Sequence, residues 1–126
     1  MAFQSPAQNY EEKRLNLRDT VSLSAHSTYL MRSASDYPDV GTVKGSLLTV
    51  DRSLTPQHGN TIITEVNDEL VLRRLLIIPS PALQELTGDG ALTPLKDDFD
   101  LSVWGVVSYA LTDLAGLGFS AAAGTN

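Results

Sequence analysis

Short apolar runs rich in β-branched residues recur along the chain from Thr28 onward, and turn residues close each run. This alternation is typical of strands, which are short and bounded by Gly, Pro, Asn, Asp and Ser. It predicts a mainly β, strand-rich single domain over residues 27–114. The candidate strands are 28–33, 46–51, 61–66, 69–78, 82–86 and 101–111.

The two ends of the chain differ from this pattern. Residues 1–26 are polar with a few alternating apolar positions, which predicts an extended N-terminal arm that packs as one edge strand at most. Residues 115–126 are small and rich in Gly and Ala, which predicts a flexible tail. Helix signals are weak, and only the run at 82–86 is also compatible with a single helical turn.

The strongest local signal is a β-hairpin. Asn67 and Asp68 tolerate positive φ, and they separate the apolar runs 61–66 and 69–74 by two residues. The second run continues to Ile78 without alternation, which predicts a strand buried on both faces until Pro79 stops it. Gly105, inside a late apolar run, is predicted at a bulge or a close approach between strands.

Charge and composition exclude several classes of protein. The 126 residues carry 9 basic and 15 acidic groups, a net charge of −6, with the whole excess in residues 64–126. Clustered Lys and Arg are missing, so we expect no direct nucleic-acid binding. No apolar run approaches a membrane span, so we expect a cytoplasmic protein without a membrane contact. The lack of cysteine rules out disulfides, thiol nucleophiles and Cys-bound zinc.

Metal and cofactor chemistry is not predicted. His26 and His58 stand 32 positions apart without partners at ligand spacing, so surface or hydrogen-bonding roles are expected for both. Asp97, Asp98 and Asp100 lack the pattern of a calcium loop and its closing Glu, which favours a solvated loop. From residue patterns alone, the sequence indicates a β domain and no particular activity.

Several segments, in order and spacing, resemble the UmuD family, which is related to the C-terminal domain of the LexA repressor. The family's Gly-Phe-Pro-Ser-Pro-Ala reads Ala-Phe-Gln-Ser-Pro-Ala at 2–7, and its Gly-Asp-Leu-Leu-Ile-Val-Asp reads Gly-Ser-Leu-Leu-Thr-Val-Asp at 45–51. The segment 27–32 resembles the strand that leads to the family's catalytic serine. The hairpin at 61–74 and the run at 103–107 also match. The resemblance implies a LexA/UmuD C-terminal-domain-like fold.

The family's chemistry is self-cleavage by a serine–lysine dyad, and both dyad positions are replaced here. The family's serine turn reads Ser35-Asp36-Tyr37-Pro38, which places Tyr37 at the serine position, and Arg73 falls at the lysine position. A guanidinium stays protonated and cannot act as the general base, and a phenol with a pKa of about 10 has no neutral amine beside it. The resemblance therefore implies no catalytic residue and no peptidase activity.

A displaced dyad is the alternative enzymatic reading. Ser35 and Ser33 precede Tyr37, and Lys44 follows at a distance. A shift of two residues along a strand moves a hydroxyl by about 6–7 Å, which is too far for a fixed hydrogen bond. We therefore expect the displaced groups to be inactive.

The N-terminus carries a further expectation. Family members cut themselves just before the Phe of the quoted stretch, and this chain starts Met-Ala-Phe, so Ala2 and Phe3 look like a remnant of the cleavage region in a trimmed form. The resemblance implies a homodimeric accessory subunit of an error-prone Y-family polymerase of the polymerase V type, which also binds the RecA filament in SOS mutagenesis. A dimerisation decoy or regulator of active relatives is the alternative.

Dimerisation is also expected from composition. The run that includes Leu101, Val103, Val106 and Val107 is too apolar for a solvated sheet edge, and exposed edges are a liability in β proteins. A second copy of the chain covering this run would remove that edge.

Overall fold

The computed structural model describes residues 21, 23–96 and 102–120. Within them, seven strands form one sheet, in which all neighbours are antiparallel and the order is β1-β2-β7-β3-β4-β5-β6. The mainly β prediction is confirmed. The strands are β1 (Thr28–Arg32), β2 (Leu47–Asp51), β3 (Thr61–Val66), β4 (Glu69–Leu76), β5 (Ala82–Gln84), β6 (Leu92–Pro94) and β7 (Val103–Leu111).

The β3–β4 hairpin forms as predicted. Asn67 and Asp68 both adopt positive φ, 51° and 66°, and Val66 pairs with Glu69 directly across the turn. Positive φ at both central residues is the geometry that matches the twist of two antiparallel strands. The pairing then runs without a shift to Thr61 and Arg74.

Strand β7 lies inside the sheet, between β2 and β3. The argument that its apolar run forms an exposed edge is therefore wrong, because both of its edges are already hydrogen-bonded, and Val103, Val106 and Val107 pack in the core clusters of this chain. The prediction for Gly105 is confirmed. A Cβ there would lie 2.6 Å from Cγ1 of Val50, and the β3–β7 pairing shifts register beside it, between Ile63 and Thr64.

Strand β4 ends earlier than predicted. It stops at Leu76, and the next two residues, Ile77 and Ile78, are 42% and 70% exposed rather than buried. The physical reason is His58, whose Nδ1 accepts hydrogen bonds from the N–H groups of Ile77 at 2.8 Å and Ile78 at 3.3 Å. The N–H groups of both residues therefore bond to His58 instead of pairing with a neighbouring strand. These bonds confirm a hydrogen-bonding role for His58.

The short strands β5 and β6 pair with each other next to β4. The run at 82–86 is thus a strand at Ala82–Gln84 and not a helical turn. Strand β6 was not predicted, because Leu92–Pro94 offers only three residues, all exposed, and ends in proline. Proline is tolerated here because β6 is the edge of the sheet.

The core has two clusters on opposite faces of the sheet. Ile62, Leu75, Leu83 and Val106 form one cluster, while Leu48, Val50 and Ile63 form the other. The neighbours Ile62 and Ile63 belong to different clusters because successive side chains of a strand point to opposite faces. The sheet therefore buries apolar side chains on both faces.

Candidate functional site

Tyr37 lies in a tight turn that joins β1 to β2. Its N–H donates to the carbonyl of Thr42 at 2.9 Å, and its own carbonyl accepts from the N–H of Thr42 at 3.2 Å. Between them, Pro38–Val40 forms a single 3₁₀ turn that ends at Gly41, whose φ is 75°. The sequence folds this way because proline suits the first position of such a turn and glycine accepts positive φ at its end.

Polar side chains fix this turn to the start of β2. The Asp36 carboxylate accepts a hydrogen bond from the N–H of Lys44 at 2.8 Å, and the hydroxyl of Ser46 accepts one from the N–H of Val43 at 3.1 Å. The hydroxyl of Ser33 donates to the carbonyl of Ser35 at 2.7 Å. The backbone around Tyr37 is consequently held at both ends.

Arg73 lies near the middle of β4, opposite Ile62. Its Nη1 donates to the carbonyl of Leu72 at 2.7 Å, and its Nη2 lies 3.9 Å from Oε1 of Glu85. An ion pair of this length, with the Glu85 side chain 45% exposed, contributes little to stability. The contacts of the guanidinium are thus to a carbonyl and a carboxylate.

The two positions that the resemblance assigns to the dyad border the same cleft. The structure brings Tyr37 and Arg73 to a space of about 310 Å³ bounded by the β1–β2 connection and by β4. The other described residues that line it are largely apolar, and they include no serine, lysine or histidine. They are Met31, Arg32, Ala34, Leu48, Ile63, Glu69, Leu70, Val71 and Leu72.

A stacking contact between Tyr37 and Arg73 does not form. Among the described residues, only two guanidinium groups lie over an aromatic ring. The guanidinium of Arg32 lies 5.5 Å from the ring centroid of Phe119, and that of Arg52 lies 4.3 Å from the ring centroid of Trp104. The guanidinium of Arg73 instead uses the bonds described above. The two residues share a cleft without a ring contact.

The displaced candidates lie outside this cleft lining. Ser33 is only 3% exposed and its hydroxyl is engaged by the Ser35 carbonyl. Ser35 and Lys44 are exposed, and the backbone N–H of Lys44 is bound to Asp36. The structure therefore brings neither displaced serine together with Lys44 in the cleft.

In the part of the chain that the structure describes, two carboxylates have lowered pKa values, and both lie away from the cleft. At the end of β2, the hydroxyl and the N–H of Ser53 donate to Asp51 at 2.6 and 2.8 Å and hold the pKa of that carboxyl below its usual value. Backbone N–H groups of Gly118 and Leu117 do the same for the pKa of Asp113. Hydrogen bonds that favour the ionised form cause both shifts.

Sequence reasoning did not identify the loop that Asp113 organises. The signal was present, since an Asp followed by Gly at the third and fifth positions is the composition of a turn capped by a carboxylate. The first part of the segment predicted as a flexible tail is held by these bonds, whereas residues 121–126 lie outside the described residues.

Several other predicted positions also lie outside the described residues. They include the cleavage-region remnant Ala2 and Phe3, nearly all of the arm at 1–26, and the acidic group Asp97, Asp98 and Asp100. Within the described part of the chain, no three potential ligand side chains gather as a metal site would require. The described helical segments include none long enough to cross a membrane.

Curated proteins of several bacteria are similar to this chain over most of its length, although no protein-family model matches it. MucA of Salmonella typhimurium and of Escherichia coli is 35% identical over 113 residues, covering 88% of this chain and 77% of MucA. ImpA of Shigella flexneri is 34% identical over 110 residues, 86% of this chain and 75% of ImpA. SamA of Salmonella typhimurium strain LT2 is 29% identical over 107 residues, 84% of this chain and 74% of SamA.

Proposed function

The chain belongs to the UmuD family, whose role is in SOS mutagenesis, and from this premise we propose that it is a non-catalytic accessory subunit of an error-prone Y-family DNA polymerase. In this proposal, it acts as a homodimer that binds the polymerase subunit of the polymerase V type and the RecA filament. It contributes protein contacts and no peptide-bond chemistry.

The composition of the cleft is the observation that carries the proposal. Self-cleavage by a dyad requires a nucleophile and a base that can be neutral, within hydrogen-bonding distance of each other. The described residues that line the cleft include Tyr37 and Arg73 at the two positions, and a guanidinium group offers hydrogen-bond donors and no acceptor. The guanidinium of Arg73 is also bound to the Leu72 carbonyl, which further fixes it as a donor.

The turn around Tyr37 gives the second line of support. Pro38 has no N–H, and the N–H of Tyr37 itself is bonded to Thr42. Two backbone donors that could stabilise an oxyanion at this turn are thus absent or engaged. Replacement of the nucleophile, the base and the donors at one place is consistent with a cleft that has lost its chemistry.

Incubation of the purified chain at alkaline pH, and separately with activated RecA filament, tests the lack of activity. Mass spectrometry should find only the intact chain. The same reactions should also leave intact an added peptide that carries the cleavage segment of an active family member. An active serine–lysine relative is the positive control, and it should cleave the peptide. A discrete fragment in the reactions with this chain would contradict the proposal.

The matched gain-of-function variant is Tyr37→Ser with Arg73→Lys, which restores a hydroxyl and a titratable amine at the two positions that the resemblance assigns to the dyad. We expect slow cleavage of the added peptide by this variant, with a rate that rises with pH as the amine loses its proton. Each single substitution should remain inactive, because a nucleophile and a base must act together.

Capture experiments separate the accessory subunit from the decoy. The chain should bind the purified polymerase subunit and increase mutagenesis when both are expressed in cells that lack the corresponding UmuD-type protein. If it instead captures only an active relative and leaves mutagenesis unchanged, the decoy reading replaces the one proposed.

A further inference from the structure

His58 joins the loop before β3 to the segment that follows β4. Its Nδ1 accepts hydrogen bonds from the N–H groups of Ile77 at 2.8 Å and Ile78 at 3.3 Å. Just before this point the two segments still pair through their backbones, because the N–H of Gly59 donates to the carbonyl of Leu75 at 2.7 Å. The imidazole therefore takes the place of a strand partner for two backbone N–H groups.

The turn that carries His58 is fixed by bonds that do not involve the imidazole. The N–H of Asn60 donates to the carbonyl of Gln57 at 3.0 Å, and Oδ1 of Asn60 accepts a hydrogen bond from the N–H of Gln57 at 2.8 Å. The N–H of Leu75 donates to the carbonyl of Asn60 at 2.9 Å. A change at the imidazole therefore acts on the segment after β4 and leaves these bonds in place.

The two hydrogen bonds determine the protonation state of the ring. A backbone N–H can only donate, so Nδ1 is the nitrogen without a proton, and the ring is neutral. An imidazolium has a proton on each nitrogen and offers no acceptor. Protonation therefore removes both bonds at once and directs an N–H of the ring toward two N–H groups of the backbone.

His58 is the single titratable side chain in the two stretches that it joins, residues 53–60 and 75–84. The charged side chains that border these stretches have partners of their own. The pairs are Asp51 with Ser53, Arg52 with the Trp104 carbonyl, Arg74 with Gln84, and Glu85 with Arg73. Glu65 and Glu69 lie beside the hairpin turn, at the end of β3 and β4 away from His58. Between about pH 5 and 8, the charge of these two stretches therefore changes through His58.

We propose that protonation of His58 is a switch that releases the segment 77–78 from the loop before β3. The released segment binds one more proton than the closed segment, so closure is favoured as the pH rises and is lost as the pH falls. Ile77 and Ile78 are 42% and 70% exposed, so burial of their side chains does little to hold the segment once the bonds are lost.

The position of the segment in the sheet gives the switch its consequence. Residues 77–78 lead from β4 into β5, and β4 borders the cleft through Leu72 and Arg73. Release in acid therefore loosens the connection between the strand beside the cleft and the two short strands at the edge of the sheet.

Amide NMR of the purified chain, followed from about pH 8 to about pH 5, provides the first test. The amide signals of Ile77 and Ile78 should shift with the same midpoint as the imidazole signal of His58. His58→Asn puts a carbonyl oxygen at the place of Nδ1 and takes up no proton, so both shifts should disappear. His26→Asn is the matched control, because His26 is the other histidine of the chain, and it should leave both shifts unchanged.

Hydrogen exchange measures the size of the effect. At a pH of about 5.5, the amide protons of Ile77 and Ile78 should exchange about fivefold faster in the wild type than in His58→Asn, because the wild type has then lost its acceptor. At a pH of about 8 the two proteins should exchange at similar rates, since both then offer an acceptor. Comparison at equal pH cancels the intrinsic pH dependence of amide exchange.

Three results would overturn the switch. The amide signals of Ile77 and Ile78 could stay fixed across the titration, or they could shift equally in His58→Asn, which would assign the shifts to another group. Equal exchange rates of the two proteins at the lower pH would show that His58 does not hold the segment. A simultaneous loss of protection at the buried Ile62 and Ile63 of β3 would show acid unfolding of the whole sheet in place of a local release.

Discussion

Replacement of Gly105 by alanine tests the packing at the centre of the sheet. The new Cβ would lie 2.6 Å from Cγ1 of Val50, well inside the distance that real Cβ contacts show, and 3.5 Å from the carbonyl oxygen of Asp51. Val50 is completely buried and β-branched, so its side chain has little freedom to turn away. Strands β2 and β3 hold β7 on both sides, so the backbone cannot move outward either.

The expected loss of stability follows from two opposing effects. Overpacking of a core costs about 1–3 kcal/mol, and removal of a glycine from a strand returns about 0.5–1 kcal/mol. Because the contact is this short, we expect a net loss of about 2 kcal/mol. With a urea m-value of about 2 kcal/mol/M, the unfolding midpoint should fall by about 1 M.

The assay is urea unfolding followed by the fluorescence of Trp104, the single tryptophan and the neighbour of Gly105. A double-mutant cycle with Val50→Ala gives the decisive comparison, since that substitution removes the methyl group that the new Cβ would meet. In the Val50→Ala background, Gly105→Ala should be neutral or stabilising, which gives a coupling of about 2–3 kcal/mol. An equal loss in both backgrounds would refute the reasoning.

Two further predictions concern the end of β2. Arg52→Met should lower the free energy of unfolding by about 1–2 kcal/mol, because Arg52 makes two contacts with Trp104. Its Nε donates to the Trp104 carbonyl at 2.8 Å, and its guanidinium lies over the indole ring. An unchanged urea midpoint would contradict this prediction. The pKa of Asp51 is lowered in the folded state, so its stabilising effect is complete above a pH of about 4 and is lost as the pH falls through the folded pKa. Ser53→Ala removes a hydroxyl donor to that carboxylate. The substitution should lower the urea midpoint at pH 7 and lower it much less at pH 3. Equal losses at both pH values would show that the effect is not linked to ionisation of Asp51.

Local signals in the sequence predict the elements that local chemistry determines. The turn at Asn67 and Asp68 specifies its hairpin by residue type alone, and Gly105 marks a close approach that no other residue would allow. The position of β7 between β2 and β3 depends on pairing with residues about 40 to 60 positions earlier, which no local window contains. That is why an interior strand was interpreted as an exposed edge.

The assignment of the candidate site has a different origin. Tyr37 and Arg73 were identified from the resemblance to the family and from the chemistry of a phenol and a guanidinium, and the structure brings both to one cleft. The bonds of His58 to the backbone after β4 could not be predicted, because they join residues 19 and 20 positions apart through a side chain. They end the strand where apolar composition alone would extend it.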